Sequence, residues 1–376
     1  MVKEMDDSIE KIQKDKRTEL YVIIPVYNCI AYLETAVDSV LSQPIKTAKV
    51  ILVDDGSNDG SSDLCNKLAS ENENVTTIHK ENGGVSSARN CGIEYVLSKA
   101  DFTEKSYIAF LDADDAWIPG FYNESVKKLM SEGLSFIGFR TCICDAQMKY
   151  RSTPNEIESG MYVGGSEAIW VHSGQSFGGA LYNIILLRDF GLRFPPIKHS
   201  EDKIFAMKFL FLSEKIYLDE RIMYFYRQNA SSAVHTRKTG IEHFSPFIDK
   251  YIEMDEEMAV WQNEQRGTLN SGKTLAGIYI QDMLDEHFEV GGTISKLEDF
   301  LSEKKEYNEI LNQSQKYGVN IERWNAYRNN PKAYRRKKRA SGRIKAFLRY
   351  AYHLKIIQKI LRKTRFPIRI YLTKET

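Results

Sequence analysis

Along the first 120 residues, short unbroken apolar runs alternate with stretches in which apolar residues recur every three or four positions. Leu20-Tyr21-Val22-Ile23-Ile24 is a β-prone run ended by Pro25, and Tyr32, Leu33, Ala36, Val37, Val40 and Leu41 follow at helical spacing. Val50-Ile51-Leu52-Val53 predicts a second strand, with a helix through Leu64 and Leu68. A short strand near Val75 to Ile78 leads to a glycine turn at Gly83-Gly84 and a helix running to about Leu97. Tyr107 to Leu111 predicts a fourth strand. Strands that are apolar throughout are covered on both faces, so this alternation predicts an α/β fold on a mainly parallel sheet flanked by helices.

The pattern loosens after residue 120. A helix near 121–131 and a strand near Leu134 to Phe139 precede a Gly/Ser-rich passage through Gly164-Gly165-Ser166 and Ser173 to Gly179. Glu201-Asp202 then stands before Ile204, Phe205, Phe209 and Leu212, which places both carboxylates at a helix N-terminus. Helical spacing returns in Phe247, Ile248, Tyr251, Ile252, Met254 and Met258, and again in Leu297, Phe300 and Leu301. The chain accordingly divides into a charged arm (1–17), a catalytic-sized α/β domain (18–245), a helical C-terminal region (246–330) and a tail (331–376).

Charge distinguishes that tail. Residues 331–376 carry 16 Lys and Arg against one Glu, although the whole chain has a net charge of only +1. Arg335-Arg336-Lys337-Lys338-Arg339 precedes a helical pattern in which Phe347, Tyr350, Ala351, Leu354, Ile357 and Leu361 share one arc and Lys345, Arg349, Lys355, Lys359 and Lys363 the opposite one; Ile356 and Ile360 interrupt the polar side. A basic amphipathic helix beside a polybasic run suits an anionic lipid surface. The same helix can instead pack on its own domain or on a second copy in a homo-oligomer. No base-stacking module accompanies it, so nucleic acid is not an expected partner.

Five scattered cysteines, an odd number, argue against a disulfide framework and for a reducing cytoplasm. The first 17 residues contain no apolar core of a signal peptide, and no run of about 18 apolar residues appears anywhere.

Polar clusters sit just beyond the strand ends, where open α/β sheets bind ligands. Asp112 and Asp114 follow the fourth strand at period two, which on an extended backbone turns both side chains one way, toward a hard cation or a ribose hydroxyl. The plain alternative is an acidic strand end that caps the next turn. Asp55 in Asp54-Asp55-Gly56-Ser57 can offer a carboxylate acceptor to a ligand or serve as an Asx-turn residue, a local role equally open to Asp54. Arg89 supplies a forked cation for phosphate or for a carboxylate partner. No GxGxxG opens the first turn, which disfavours a dinucleotide cofactor. Gly267 to Thr274 spells GxxxxGK[ST], yet the polar Trp261 to Arg266 before it cannot be the buried strand that a phosphate loop needs.

Taken together, Val22-Ile23-Ile24-Pro25-Val26-Tyr27-Asn28, Val53-Asp54-Asp55-Gly56-Ser57, Asn82-Gly83-Gly84 with Ala88-Arg89-Asn90, and Leu111-Asp112-Ala113-Asp114-Asp115 resemble family 2 glycosyltransferases of GT-A fold, of the bacterial surface-polysaccharide type. His199-Ser200-Glu201-Asp202 and Tyr226-Arg227-Gln228 continue the likeness more thinly. The resemblance implies a metal-dependent hexosyl or N-acetylhexosaminyl transferase with a nucleotide-diphosphate sugar donor, most often a UDP-sugar. Pro25, Tyr27, Asp55, Asn82, Arg89, Asp112, Ala113, Glu201, Arg227 and Ser231 would then bind the donor. Asp114, Asp112 and His235 would hold Mn²⁺ or Mg²⁺, and Asp202 would be the general base of a single inverting displacement. It further implies a lipid-linked or polysaccharide acceptor and a cytoplasmic enzyme peripheral to the cell membrane. Two rivals share these residues: a sugar-phosphate nucleotidyltransferase, which wants a glycine-rich basic loop after the first strand, and a non-catalytic nucleotide-sugar-binding scaffold.

Overall fold

The computed structural model of the chain describes residues 18–99, 105–153, 158–165, 177–197, 200–228 and 241–264, together with 280, 283, 284, 287, 294–303, 307, 311 and 322. His199, Ser231, His235, the Gly267 to Thr274 stretch, the charged arm and the basic tail lie outside the described residues.

The first half of the sheet follows the sequence pattern closely. Strand β1 (Glu19–Val26) is followed by helix α1 (Leu33–Leu41), β2 (Ala48–Asp54) by α2 (Ser61–Glu71), and β3 (Val75–His79) by α3 (Val85–Ser98), before β4 (Ser106–Phe110). β1 lies between β2 and β4, and β2 pairs with β3, all in parallel. Leu20, Val22, Ile24 and Val26 are fully buried on one face of β1, and Tyr21 and Ile23 are buried on the other. Covering by helices on both faces is what makes an unbroken apolar strand stable.

The second half is mixed. It comprises β5 (Ala116–Trp117), α4 (Glu124–Met130), β6 (Phe136–Cys144), β7 (Tyr150–Ser152), β8 (Gly160–Tyr162), β9 (Ala180–Asn183), α5 (Ile184–Asp189), α6 (Glu201–Leu212) and β10 (Ile216–Arg227). The full order is β3-β2-β1-β4-β9-β6-β10-β5, with β7 on β6 and β8 on β10. β9 runs antiparallel to both β4 and β6, and β5 and β8 run antiparallel to β10, while β6 and β10 are parallel. The predicted strand near 134–139 is thus the start of a longer β6, and the predicted helix at 121–131 is shortened to α4. Its start is fixed by Asn123, whose side chain accepts from the amides of Ser125 and Val126.

Beneath the carboxyl edge lies an aromatic cluster. Phe110, Phe177, Tyr182, Phe194 and Phe205 are all buried, with Phe194 and Phe205 stacked at 4.1 Å. Phe110 meets Phe194 and Phe205 edge-on, at 5.1 and 5.7 Å. Each such ring removed from water contributes about 1.5–3 kcal/mol, so this cluster is a rigid floor for whatever rests on it.

The chain divides into two compact units, one of residues 1–236 with 256–270 and one of 237–255 with 271–376. Helix α7 (Ile241–Asn263) carries the division inside its length. In the first unit Trp261 packs 6.0 Å from Phe211 of α6, and Lys208 pairs with Glu257. In the second, Tyr251, Met254, Ile280, Met283, Leu284 and Leu297 are buried, and Tyr307 Oη donates to Asp249 Oδ1 at 2.7 Å. Helix α8 (Ile294–Glu303) belongs to this second unit, where Phe300 lies 5.6 Å from Tyr307.

Candidate active site

Four parallel strands deliver their following loops to one edge, and several of the polar residues singled out in the sequence stand on those loops and the helices beside them. Asp55 is buried, and its carboxylate is held by its neighbours after β3: Oδ1 accepts from Gly83 N at 3.0 Å and from Lys80 Nζ, and Oδ2 from Gly84 N at 2.7 Å. Gly84 adopts φ +85°, which glycine takes without the penalty of a side chain and which aims its amide at Asp55. Asp54 takes the local role instead. Its Oδ1 accepts from Ser57 N at 3.0 Å and its Oδ2 meets His79 Nδ1 at 2.9 Å. Burial opposes its charge, but the Ser57 and His79 bonds hold the carboxyl below the usual range.

Pro25 and Tyr27 stand at the end of β1, Tyr27 half exposed, and Asn82 is exposed in the loop after β3. Asn28 has φ +51°, and its side chain accepts from Asn58 N at 2.9 Å, tying the first loop to the second.

Arg89 is the hub. Its α3 position brings it under the turn after β4, where Nη2 donates to Asp112 Oδ1 at 2.7 Å and Nη1 to Glu201 Oε1 at 3.0 Å. The guanidinium lies 4.9 Å from the Phe177 ring centre and 5.2 Å from that of Phe194, and its Nε has no hydrogen-bond partner among the described residues. Burial works against the charge, yet Asp112 and Glu201 outweigh it and keep the group protonated. Of the two partners open to Arg89 in the sequence, the structure shows carboxylates.

One guanidinium therefore spans the first aspartate of the Asp112-Ala113-Asp114 motif and the acid pair that opens α6. Glu201 is buried, and desolvation followed by the neighbouring charge of Asp202, partly offset by Arg89, pushes its carboxyl up to about 7. Asp202 is half-buried beside it, with Oδ1 accepting from Lys203 N at 2.7 Å.

Asp112 keeps its side chain 39% exposed, and Asp114 is half-buried. Their negative field is felt nearby: burial first, then the charges of Asp114, Asp59 and Asp112, pushes the Cys29 thiol up to about 11. Two carboxylates at period two fit a hard divalent cation bound by one or two protein oxygens and completed by phosphate oxygens. Among the described residues no group of three or more His, Cys, Asp or Glu side chains is gathered for a metal.

Three residues that sequence reasoning left without a role complete the site. Asp115 is buried, accepts from Tyr224 Oη at 2.7 Å and from Arg227 N at 2.7 Å, and has its carboxyl raised well above the usual range by burial and by Asp112 and Asp114. As the third carboxylate of the run it points back into the protein, at the end of a turn that its own amide closes on the Asp112 carbonyl at 3.0 Å. Tyr224 carries no sequence signal, because its partner Asp112 is 112 positions away. Lys80, a lone cation two residues before Asn82, is the third. Arg227 was expected at the diphosphate; the structure places its Nε on the Asp114 carbonyl at 2.6 Å and its Nη1 on the Ala146 carbonyl at 2.7 Å.

Residues 21–189 match the family model described as Glycosyl transferase family 2. The chain is 30% identical over 241 residues to Glycosyltransferase GlyA of Streptococcus pneumoniae, covering 58% of this chain and 32% of that protein. It is 42% identical over 100 residues to Minor teichoic acid biosynthesis protein GgaA of Bacillus subtilis, covering 26% of this chain and 21% of the relative. The aligned stretch thus spans about a third or less of either relative. Among solved structures, S. aureus TarS 1-349 in complex with UDP-GlcNAc superposes with a TM-score of 0.54 at 16% identity, over 74% of this chain and 78% of that one. That likeness is one of fold, the mixed α/β arrangement of GT-A glycosyltransferases.

Proposed function

Residues 21–189 of this chain carry a family 2 glycosyltransferase domain, and from that premise we propose that it moves a sugar from a UDP-sugar to a hydroxyl of a cell-surface glycan or its lipid-linked precursor, with inversion at the anomeric carbon. One observation carries this reading: Arg89 joins Asp112 to Glu201, so the first of the metal-type carboxylates and the acid pair bearing Asp202 meet at one guanidinium. The UDP and UDP-GlcNAc complexes of TarS support the donor, and the teichoic-acid name of GgaA supports the acceptor class.

In this reading Asp55, with Lys80 and the Gly83-Gly84 amides around it, faces the base; Pro25, Tyr27, Asn82 and Ala113 line the nucleoside; and Asp112 and Asp114 hold Mn²⁺ or Mg²⁺. The cation, when bound, stabilises the charge that builds on the leaving diphosphate. Asp202 accepts the proton of the attacking hydroxyl. Glu201, pinned by Arg89, fixes the first turn of α6 and with it the direction of Asp202. Ser231 and His235 would complete the diphosphate and metal contacts. No helix among the described residues is long and apolar enough to cross a membrane, and the basic tail is the proposed means of reaching an anionic membrane surface.

The test is UDP release from a panel of UDP-sugars with Mn²⁺, with the anomeric configuration of the product read by NMR. Asp202→Asn should lower turnover by about 10²–10⁴-fold, the range of general base catalysis, while leaving UDP binding in place. For the tail, co-sedimentation with anionic vesicles compares the full chain with one ending at Asn330; equal pelleting contradicts a membrane role.

A further inference from the structure

The carboxyl end of β10 grips the Asp112–Asp115 turn at the Asp112 amide, the Asp114 carbonyl and the Asp115 side chain. Tyr224 Oη accepts from the Asp112 amide at 3.1 Å and donates to Asp115 Oδ2 at 2.7 Å. The Arg227 amide donates to Asp115 Oδ1 at 2.7 Å. The Arg227 guanidinium clamps the Asp114 and Ala146 carbonyls and lies 4.7 Å from the centre of the Tyr32 ring. Asp115, Tyr224 and Arg227 are all buried. The strand itself is held on both sides here, by β5 through Tyr224 and Phe225 and by β6 through Tyr226 and Arg227.

These bonds fix the backbone of both aspartates that the preceding reading gives to the cation. We propose that Tyr224 and Arg227 are positioning residues that set the affinity of this turn for a divalent cation and the diphosphate it bridges, by holding Asp112 and Asp114 in one register before any ligand arrives. The inference rests on the reading of this edge as a nucleotide-sugar site. A cation bound by so few protein oxygens depends on their mutual direction, and groups that orient such ligands are typically worth about 10–100-fold in metal affinity. Tyr224 is suited to this because a single hydroxyl both receives the Asp112 amide and satisfies Asp115. Tyr224→Phe leaves a buried amide and a buried carboxylate short of a partner, and the turn must move to recover them.

The test measures Mn²⁺ affinity of the full chain, from the free-Mn²⁺ paramagnetic resonance signal at saturating UDP, with a thermal melt of each variant. Asp114→Ala marks the underlying site. Tyr107→Phe is the comparison for plain destabilisation, since Tyr107 Oη bonds in the core, to the Leu134 carbonyl at 2.7 Å and the Met130 carbonyl at 3.3 Å. The expected result is Mn²⁺ binding in the parent chain, none in Asp114→Ala, about tenfold weaker binding in Tyr224→Phe, and parental affinity in Tyr107→Phe even where its melt is lowered. Arg227→Lys, which keeps the cation but loses the two-carbonyl clamp, should weaken binding by a similar factor and replaces Tyr224→Phe if that variant does not fold. Parental affinity in the folded Tyr224→Phe or Arg227→Lys chain, or a loss matched by Tyr107→Phe, overturns the positioning role while leaving the site intact. A parent chain that binds no Mn²⁺ with UDP overturns the site reading and the inference together.

Discussion

The two halves of the sheet divide the work of the site. In β3-β2-β1-β4 every strand is parallel, and each delivers its own polar loop to the same edge. In β9-β6-β10-β5 the strands change direction, and contributions to the site arrive as buried side chains from the body of the protein. The difference teaches that groups able to meet a ligand are local in sequence, while the groups that hold them still are not. Arg89 and Tyr224 are the joints between the halves: the first ties α3 to α6, the second ties β10 to the turn after β4.

The comparison breaks most severely at Arg89. Arg89→Ala strands Asp112 and the buried Glu201 without their cation, and loss of one member of a buried pair costs about 3–5 kcal/mol, measurable as a drop in the denaturation midpoint. A smaller effect is expected inside the second half at Gly178, where an added Cβ would sit 2.3 Å from Tyr224 Cε2. Gly178→Ala should cost about 1–3 kcal/mol by overpacking and, because it displaces Tyr224, should also weaken Mn²⁺-dependent UDP binding.

Asn123→Ala provides the contrast. It removes the cap of α4, costing about 1 kcal/mol, with UDP binding unchanged, since the Asn123 side chain bonds to Gly120, Ser125 and Val126 and to neither joint. If this variant lowered UDP affinity as much as Gly178→Ala does, the distinction between holding groups and mere stability would fail.

A separate effect concerns pH. Glu201 titrates near 7 in the fold against an ordinary 4.5, so the folded state binds its proton more tightly than the unfolded chain. Its contribution to stability is therefore full below about pH 4.5 and is lost as pH rises through about 7. Glu201→Gln should flatten that part of the stability profile, checked by denaturation midpoints taken across the same range.

What could be read from the sequence follows the same division. The four parallel strands, their helices and the acidic strand ends were legible because continuous apolar runs and period-two aspartates are local signals. The antiparallel insertion of β9 between β4 and β6 was not, since it depends on pairing partners such as Ile108 with Tyr182, far apart in the chain. Within the site, Asp112 and Glu201 could be picked out from their motifs, whereas the use of Arg89 as a bridge between them required knowing that α3 and α6 meet. Arg227 shows the limit from the other side. Its motif pointed outward to phosphate, but burial against Tyr32 directs its guanidinium to the Asp114 carbonyl.

The most direct measurement is calorimetric titration of the purified chain with UDP, with and without Mn²⁺, beside the same titration of Asp114→Ala and a GDP control. The account predicts UDP binding that requires Mn²⁺, is absent in Asp114→Ala and is not reproduced by GDP. Binding of GDP in preference to UDP, or UDP binding indifferent to both Mn²⁺ and Asp114, would contradict the assignment of this edge as a metal-assisted UDP-sugar site.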